Sequence, residues 1–327
     1  MSQANLERLK SNADRATEVF LRQWPADADD GLYAPIHYLM SLGGKRLRAV
    51  LALSAAEAEG QDHYVAMPAA LAVELFHNFT LMHDDIMDEA PLRRGQQTVH
   101  HRWDSNAAIL SGDAMFTLAS IALTGLNASA LPAALQLFNR TALEVCIGQQ
   151  SDMAFESREN VTLDDYWNMI RLKTSVLVAA SLALGAQAAG ATETRAALWY
   201  QLGEQLGLAF QMQDDLLDAF GTAATGKQLG GDILSDKKTF LRIHAWENAS
   251  AAQRLEMNAW NGKEHDPDEK VAAIKTIMVD LGSDRAASQR MAGCIEAAEK
   301  CMDTLELKGV HREWFEFVAG LVTTRQS

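Results

Sequence analysis

The stretch Leu71-Ala72-Val73-Glu74-Leu75-Phe76-His77-Asn78-Phe79-Thr80-Leu81-Met82-His83-Asp84-Asp85-Ile86-Met87-Asp88-Glu89 decides how the chain folds. It is an apolar run built from good helix formers, with no period-2 alternation, and it ends in a knot of aspartates. On a helix, Asp84 and Asp88 are four apart and share a face, and Asp85 flanks them. The same habit holds along the chain. Ala, Leu, Met, Glu and Gln dominate and β-branched residues are sparse, so the fold class is all-α. Turn or cap chemistry breaks the helices at Pro25 to Gly31, Leu42 to Gly44, Gly60 to Pro68, Pro91 to Gly95 and Gly125 to Pro132. It does so again at Ser157 to Leu163, Gly190 to Thr194, Gly221 to Gly231 and Gly262 to Pro267. These breaks are shorter than interdomain linkers and no low-complexity run divides the chain, so residues 1–327 are expected to form a single domain.

Composition narrows the classes of function. With 48% hydrophobic residues and only 6 prolines among 327 residues, the chain has material for a large core, which excludes disorder. A net charge of −14 disfavours nucleic acid or an anionic membrane as partner. Cys146, Cys294 and Cys301 contain no C-x-x-C pair and suit a reducing cytoplasm, where the chain is expected to reside. The N-terminus has no apolar core of a secretory signal. Val176 to Gly190 is short and Ala-rich, and reads as a buried helix rather than a membrane span.

A second segment, Phe210-Gln211-Met212-Gln213-Asp214-Asp215-Leu216-Leu217-Asp218, repeats the aspartate spacing in another apolar helix. Like charges this close repel unless a cation lies between them. Hard oxygen donors point to Mg²⁺, which completes its shell with water and substrate phosphates. One acidic cluster describes many solvated helix ends; two of the same spacing describe a multi-metal site around a polyanion. Fixed cations stand in matching places. Gly43-Gly44-Lys45-Arg46-Leu47-Arg48 is a glycine turn entering a helix, where backbone N–H groups favour anions. Arg93-Arg94 follows the first cluster, and Lys173-Thr174 precedes the Ala-rich helix. Lys227, Lys237 and Lys238 follow the second cluster. His77 lies seven residues before Asp84, on the aspartate face. It also forms an E-x-x-H pair with Glu74, but without the second such pair that a di-iron bundle requires, so a phosphate-binding or supporting role is preferred.

The constellation resembles the trans-isoprenyl diphosphate synthases, or polyprenyl synthetases. Five matches in the family's order run from about Tyr33 to Leu241: the Gly43 to Arg48 turn, the first D-D-x-x-D with Arg93-Arg94, Lys173-Thr174, Phe210-Gln211 with the second D-D-x-x-D, and the basic loop ending near Lys238. The resemblance implies a single large helical bundle with a central apolar cavity and a homodimer. It implies an enzyme that condenses isopentenyl diphosphate with allylic diphosphates (dimethylallyl, geranyl or farnesyl) using three Mg²⁺. Asp84 and Asp88 would bind two of the metals and Asp214 the third, with Asp85 and Asp218 in support. Lys45, Arg48, His77 and Arg94 would hold isopentenyl diphosphate. Arg93, Lys173, Thr174, Gln211, Lys227 and Lys237 would hold the allylic diphosphate. The spacing of Thr225-Gly226-Lys227 and Gly230-Gly231 departs from the family pattern, which leaves the choice among Lys227, Lys237 and Lys238 open.

Two other readings compete. A class I terpene cyclase also ionises an allylic diphosphate, but the second motif here is a full D-D-x-x-D beside a Lys45/Arg48 site. A non-catalytic regulatory subunit would not need both acidic clusters intact. For product length, the growing chain is expected to run from Asp84 back along its own helix, past small Thr80, to a floor at Phe76 one further turn away. Phe79 would narrow the path indirectly. The expectation is a C20 product, with C15 the near alternative.

Overall fold

A computed structural model describes residues 2–25, 31–221, 230–262 and 264–323 of the chain. They form two compact units, Met1–Arg140 with Ala180–Tyr200, and Thr141–Ala179 with Gln201–Ser327. The fold is all-α, as its composition dictates, apart from one two-stranded hairpin.

The first unit carries α1 (Ser2–Leu21), α2 (Tyr33–Ser41), α3 (Leu47–Ala58), α4 (Met67–Met87), α5 (Val99–Arg102) and α6 (Ser105–Leu123), together with the beginning of α7 (Leu131–Ser157). The second half of α9 (Val176–Ala188) and the start of α10 (Glu193–Phe220) also belong to it. α3 and α4 are apolar nearly all round, and both are buried: Val50, Leu53, Ala55, Ala72, Val73 and Leu75 are shut off from solvent. Small residues set how closely these helices approach. A Cβ on Gly185 would fall 2.7 Å from the carbonyl carbon of Ala52, so α9 meets α3 backbone to backbone there. The break at Pro91 to Gly95 proves to be a hairpin of β1 (Leu92–Arg93) and β2 (Gln96–Gln97), in which Leu92 pairs with Gln97 and Arg93 with Gln96. Arg94 and Gly95 both take positive φ, 54° and 75°, the backbone of a type I′ turn.

The second unit holds the rest of α7, then α8 (Leu163–Ile170), a π-helical turn (Arg171–Ser175), the start of α9 and the end of α10. α11 (Gly231–Leu234), α12 (Phe240–Asn248), α13 (Ala251–Ala259), α14 (Pro267–Asp280), α15 (Ser283–Thr304) and α16 (Gly309–Thr323) follow. Its core packs Tyr166, Met169 and Ile170 with Phe240, Ile243, Ile274, Met278 and Cys294. Glycines line the π turn on two sides. A Cβ on Gly148 of α7 would lie 2.6 Å from Lys173 Cα, and one on Gly207 of α10 would lie 2.7 Å from Ser175 Cα.

Among the described residues, three helical stretches, His63–Met87, Ser105–Leu123 and Leu163–Ala188, are long and apolar enough to cross a membrane by length and composition. In the last, 83% of the apolar window is buried inside the protein, which makes Val176 to Gly190 the interior helix its composition suggested.

Candidate active site

The first aspartate motif stands at the C-terminal end of α4, with Asp88 as the capping residue. Carbonyls crowd that end and the helix dipole is negative there, so three carboxylates are poorly placed without cations. One cation comes from the protein. Asp85 is buried and receives Arg93 through Nε at 2.8 Å and Nη2 at 2.7 Å. Asp84 is half-buried and Asp88 exposed. The hairpin makes the Asp85 pairing possible. Its type I′ turn reverses the chain within four residues, and its base is closed by Thr98, whose Oγ1 donates to Ala90 O at 2.7 Å. Arg93 is thereby turned back onto Asp85, while Arg94 Nη1 donates to Gly43 O.

The glycine turn is shaped for that arginine. Gly44 takes φ +145°, and a Cβ there would sit 3.0 Å from Arg94 Nη2, so only glycine lets the guanidinium lie against the backbone. Lys45 is exposed and Arg46 is buried. Arg46 bonds Asp14 and Glu74, each at 2.8 Å, and Met40 O at 2.8 Å. Glu74 is thus committed to Arg46 and to Asn78, which explains why its E-x-x-H pairing with His77 is not a metal site. Arg48 Nη1 lies 3.1 Å from His77 Nε2. Arginine only donates, so Nε2 accepts and the ring proton resides on Nδ1. Burial holds the His77 pKa well below the usual histidine range, and the nearby charges of Arg48, Arg94, Arg93 and Arg46 push the same way. The structure therefore brings Arg48, His77, Arg93 and Arg94 to the Gly43-Gly44 turn as one cationic group around a neutral imidazole.

The second motif lies near the end of α10 and repeats the arrangement. Asp215, like Asp85, is the buried member: it accepts from Tyr166 Oη and from Gln211 Nε2 (3.1 Å). Burial pushes its pKa up to about 7 against the opposing effect of those two hydrogen bonds. Gln211 in turn accepts from Thr174 Oγ1 at 3.1 Å, so Thr174, Gln211 and Asp215 form one chain of hydrogen bonds. Asp214 and Asp218 are half-buried, and Asp218 Oδ2 accepts the N–H of Asp232 at 3.0 Å. Lys173 Nζ lies 2.5 Å from Asp152 Oδ2 of α7. Lys173 and Thr174 both lie in the π turn, which widens the backbone there, a device frequent at functional sites.

The lysines of the basic loop separate. Lys238 Nζ donates to Phe155 O at 2.5 Å and Arg158 O at 2.7 Å, capping the end of α7. Lys237 is exposed, 3.9 Å from Asp232. Lys227 lies outside the described residues.

On α4, the buried Phe76 is the hub of an aromatic cluster. Its ring centre lies 5.4 Å from Phe79, 5.7 Å from Phe116 and 5.5 Å from Phe138, and Phe79 stacks on Phe116 at 5.5 Å. Phe76 and Phe79 therefore act as one wall, not as separate faces. Thr80 Oγ1 donates back to His77 O at 2.8 Å. Asp152, Tyr166, Phe116 and Phe138 escape sequence reasoning, since each meets its partner across a long separation with no local pattern.

Comparison with known proteins places the chain in a family. The geranylgeranyl pyrophosphate synthase of Geoglobus acetivorans is 37% identical over 303 residues, covering 92% of each chain. The geranylgeranyl diphosphate synthase of Methanosarcina mazei is 35% identical, covering 92% of this chain and 91% of its own. A crystal structure of a geranylgeranyl pyrophosphate synthase superposes with a TM-score of 0.93 at 41% identity, covering 98% of this chain and 99% of the other. The pattern of the family described as polyprenyl synthetase matches residues 29–278, and the chain belongs to that family.

Proposed function

We propose that the chain is a Mg²⁺-dependent trans-prenyltransferase that joins isopentenyl diphosphate head to tail to an allylic diphosphate, with C20 geranylgeranyl diphosphate as main product and C15 farnesyl diphosphate the near alternative. The observation that carries this reading is the same division within both aspartate motifs. Asp85 and Asp215 are buried, while Asp84, Asp88, Asp214 and Asp218 keep solvent exposure. The donor set fits Mg²⁺. It consists of hard carboxylate oxygens, and among the described residues no three His, Cys, Asp or Glu side chains close into a cage that would dispense with substrate oxygens. Three ions per site are proposed, on Asp84 and Asp88 and on Asp214 with Asp218 in support. Bound Mg²⁺ supplies charge stabilisation for the diphosphate as the allylic C–O bond ionises.

The chain's own groups do the rest. Lys45, Arg48 and Arg94 bind the diphosphate of isopentenyl diphosphate. Neutral His77 accepts from Arg48 and so aims that guanidinium. Arg93, Lys173, Thr174, Gln211 and Lys237, with Lys227, bind the allylic diphosphate. Arg93 is oriented by Asp85, and Lys173 by Asp152. The double bond of isopentenyl diphosphate attacks the allylic carbocation, forming the new C–C bond, and the departing pyrophosphate accepts the final proton. Phe76, Phe79 and Thr80 set the length of the product.

Residues 1–327 act as one domain in this reading, supported by unit boundaries that fall inside α7, α9 and α10 and not in loops. Exposed Ile109, Leu110 and Ile121 on α6 support a homodimer, and the three free cysteines support a cytoplasmic location. Incubation of the purified chain with Mg²⁺, isopentenyl diphosphate and each allylic primer tests the function. Chain elongation is expected, and it should stop on chelation. Asp84→Ala or Asp214→Ala should lower turnover by about three orders of magnitude or more. A cyclised hydrocarbon would indicate a terpene cyclase, and no reaction a regulatory subunit.

A further inference from the structure

The C-terminal third has no sequence motif, yet α14 reaches back into the basic loop. After the second aspartate motif the chain returns at Gly230, whose N–H donates to Asp218 O at 2.8 Å, and Val271 of α14 packs where a Gly230 Cβ would be, 2.7 Å from its Cγ2. Beyond α11, Asp236 takes φ 55°, a left-handed conformation that a non-glycine residue keeps only when its surroundings hold it there. Three groups hold it. Lys270 Nζ lies 2.9 Å from Oδ1, Arg242 Nη1 lies 3.2 Å from Oδ1, and the N–H of Gly262 donates to Oδ2 at 2.8 Å.

Lys270 is 2% exposed. Its ammonium has three donors, and each has an acceptor: Asp236 Oδ1, Leu234 O at 3.2 Å and Gly262 O at 2.8 Å. Lys270 is buried while the Asp236 side chain keeps 29% exposure, and ion pairs taken out of water are often replaceable by apolar side chains with no loss of stability. Two residues further on, Lys238 is fastened to the end of α7. The backbone is therefore pinned at 236 and at 238, and Lys237 stands exposed between the two fixed points, near Asp232, whose N–H is bonded to Asp218.

We propose that Asp236, clamped by Lys270 of α14 and Arg242 of α12, is a positioning residue that holds Lys237 beside the second aspartate motif to meet the allylic diphosphate. The proposal rests on the prenyltransferase reading and on Lys237 as one of its diphosphate ligands. It gives α14, which carries no motif, a part in substrate binding, since Lys270 ties that helix to the loop.

The test uses the full chain. Asp236→Gly keeps a left-handed backbone accessible while removing the carboxylate, and Asp236→Asn keeps the shape but not the charge. Both should raise the KM for the allylic diphosphate by about 10- to 100-fold, while the KM for isopentenyl diphosphate stays within about twofold. Lys237→Ala should do the same. The Asp236→Gly, Lys237→Ala double variant should match Lys237→Ala alone, because the clamp then has nothing left to position. Should the Asp236 variants fail to fold, Lys270→Met removes the buried charge with a similar linear side chain and is read in the same way. An unchanged allylic KM in folded Asp236 variants would overturn the proposal, as would multiplying effects in the double variant or an inert Lys237→Ala. Failure of the unaltered chain to elongate any primer would overturn the prenyltransferase reading itself, and the proposal with it.

Discussion

Gly148→Ala isolates the role of the π turn. The added methyl would lie 2.6 Å from Lys173 Cα and 2.7 Å from the carbonyl carbon of Leu172, both backbone atoms that cannot swing aside. The backbone nitrogen of Lys173 is nearer still, and ordinary contact begins near 3.4 Å, so α7 and the turn must part by about 1 Å. Overpacking of this kind costs about 1–3 kcal/mol. Alanine in place of a mid-helix glycine returns about 1 kcal/mol, leaving a net loss of roughly 0–2 kcal/mol. The kinetic effect should be larger, because Lys173 and Thr174 move with the turn, and a displacement approaching 1 Å at a substrate ligand lowers turnover by up to about 10²-fold. Steady-state kinetics with the allylic substrate varied, beside a thermal melt, separates the two effects. The expected result is a folded protein with a small melting shift and strongly reduced kcat. Gly293→Ala, an exposed α15 site with nothing within 4 Å, should gain up to about 1 kcal/mol with unchanged kinetics. Wild-type kcat and KM in Gly148→Ala would refute the argument that the register of this turn matters.

Other outcomes follow from single contacts. His77 has a folded pKa well below 6.5, so the unfolded state binds the extra proton first and stability should fall as the pH drops from about 6.5 towards 5. Denaturant titrations at pH 7.5 and 5 should show a smaller loss for His77→Gln than for the unaltered chain; equal losses would remove His77 as the cause. Lys238→Ala should fray the end of α7, lower the melting temperature and raise the allylic KM by less than Lys237→Ala does, measured by steady-state kinetics beside a melt; a larger rise than that of Lys237→Ala with an unchanged melt would make Lys238 the phosphate ligand. For product length, Thr80→Phe should shorten the main product and Phe79→Ala lengthen it, read by chromatography of the dephosphorylated prenols. Phe76→Ala should also lengthen it but lose about 3–5 kcal/mol, since that ring is buried among three others. An identical chain length in all three would place the floor elsewhere.

Much of this architecture is legible in local chemistry. Gly43, Gly44, Gly60, Gly190 and Gly262 all take positive φ, and each falls in a break that its residue type announces. The aspartates and their arginines are legible for the same reason: their spacing is short and their charge unusual. The hairpin is not, because two-residue strands are too short to show alternation, and Arg94 is an unexpected occupant of a left-handed turn position. Nor is the π turn, which differs from an α turn by one residue and leaves no compositional trace. What separates Asp84 from Asp85, or Lys237 from Lys238, is which side chain meets the rest of the fold. Asp215 finds Tyr166 at a separation of 49 residues, and Lys238 finds the end of α7 about 80 residues away. Such pairings depend on packing that no local pattern encodes.

The π turn also sets a rule for insertions and deletions. Removing one residue between Arg171 and Ser175 would allow ordinary helical bonding to run through, so the deletion need not weaken the helix locally. The wider turn carries five residues through about the angle that four cover in an α-helix, so the helix downstream would keep its phase. In α9 that phase is what the packing needs, because Leu177, Leu182 and Leu184 are interleaved with Ala179, Ala180 and Ala183, and all six are buried. The deletion should therefore leave the packing of α9 intact and change only the turn, whereas a deletion within α9 itself would bring large side chains where small ones had been. The extra residue lets Lys173 and Thr174 depart from helical geometry without disturbing the core that follows them.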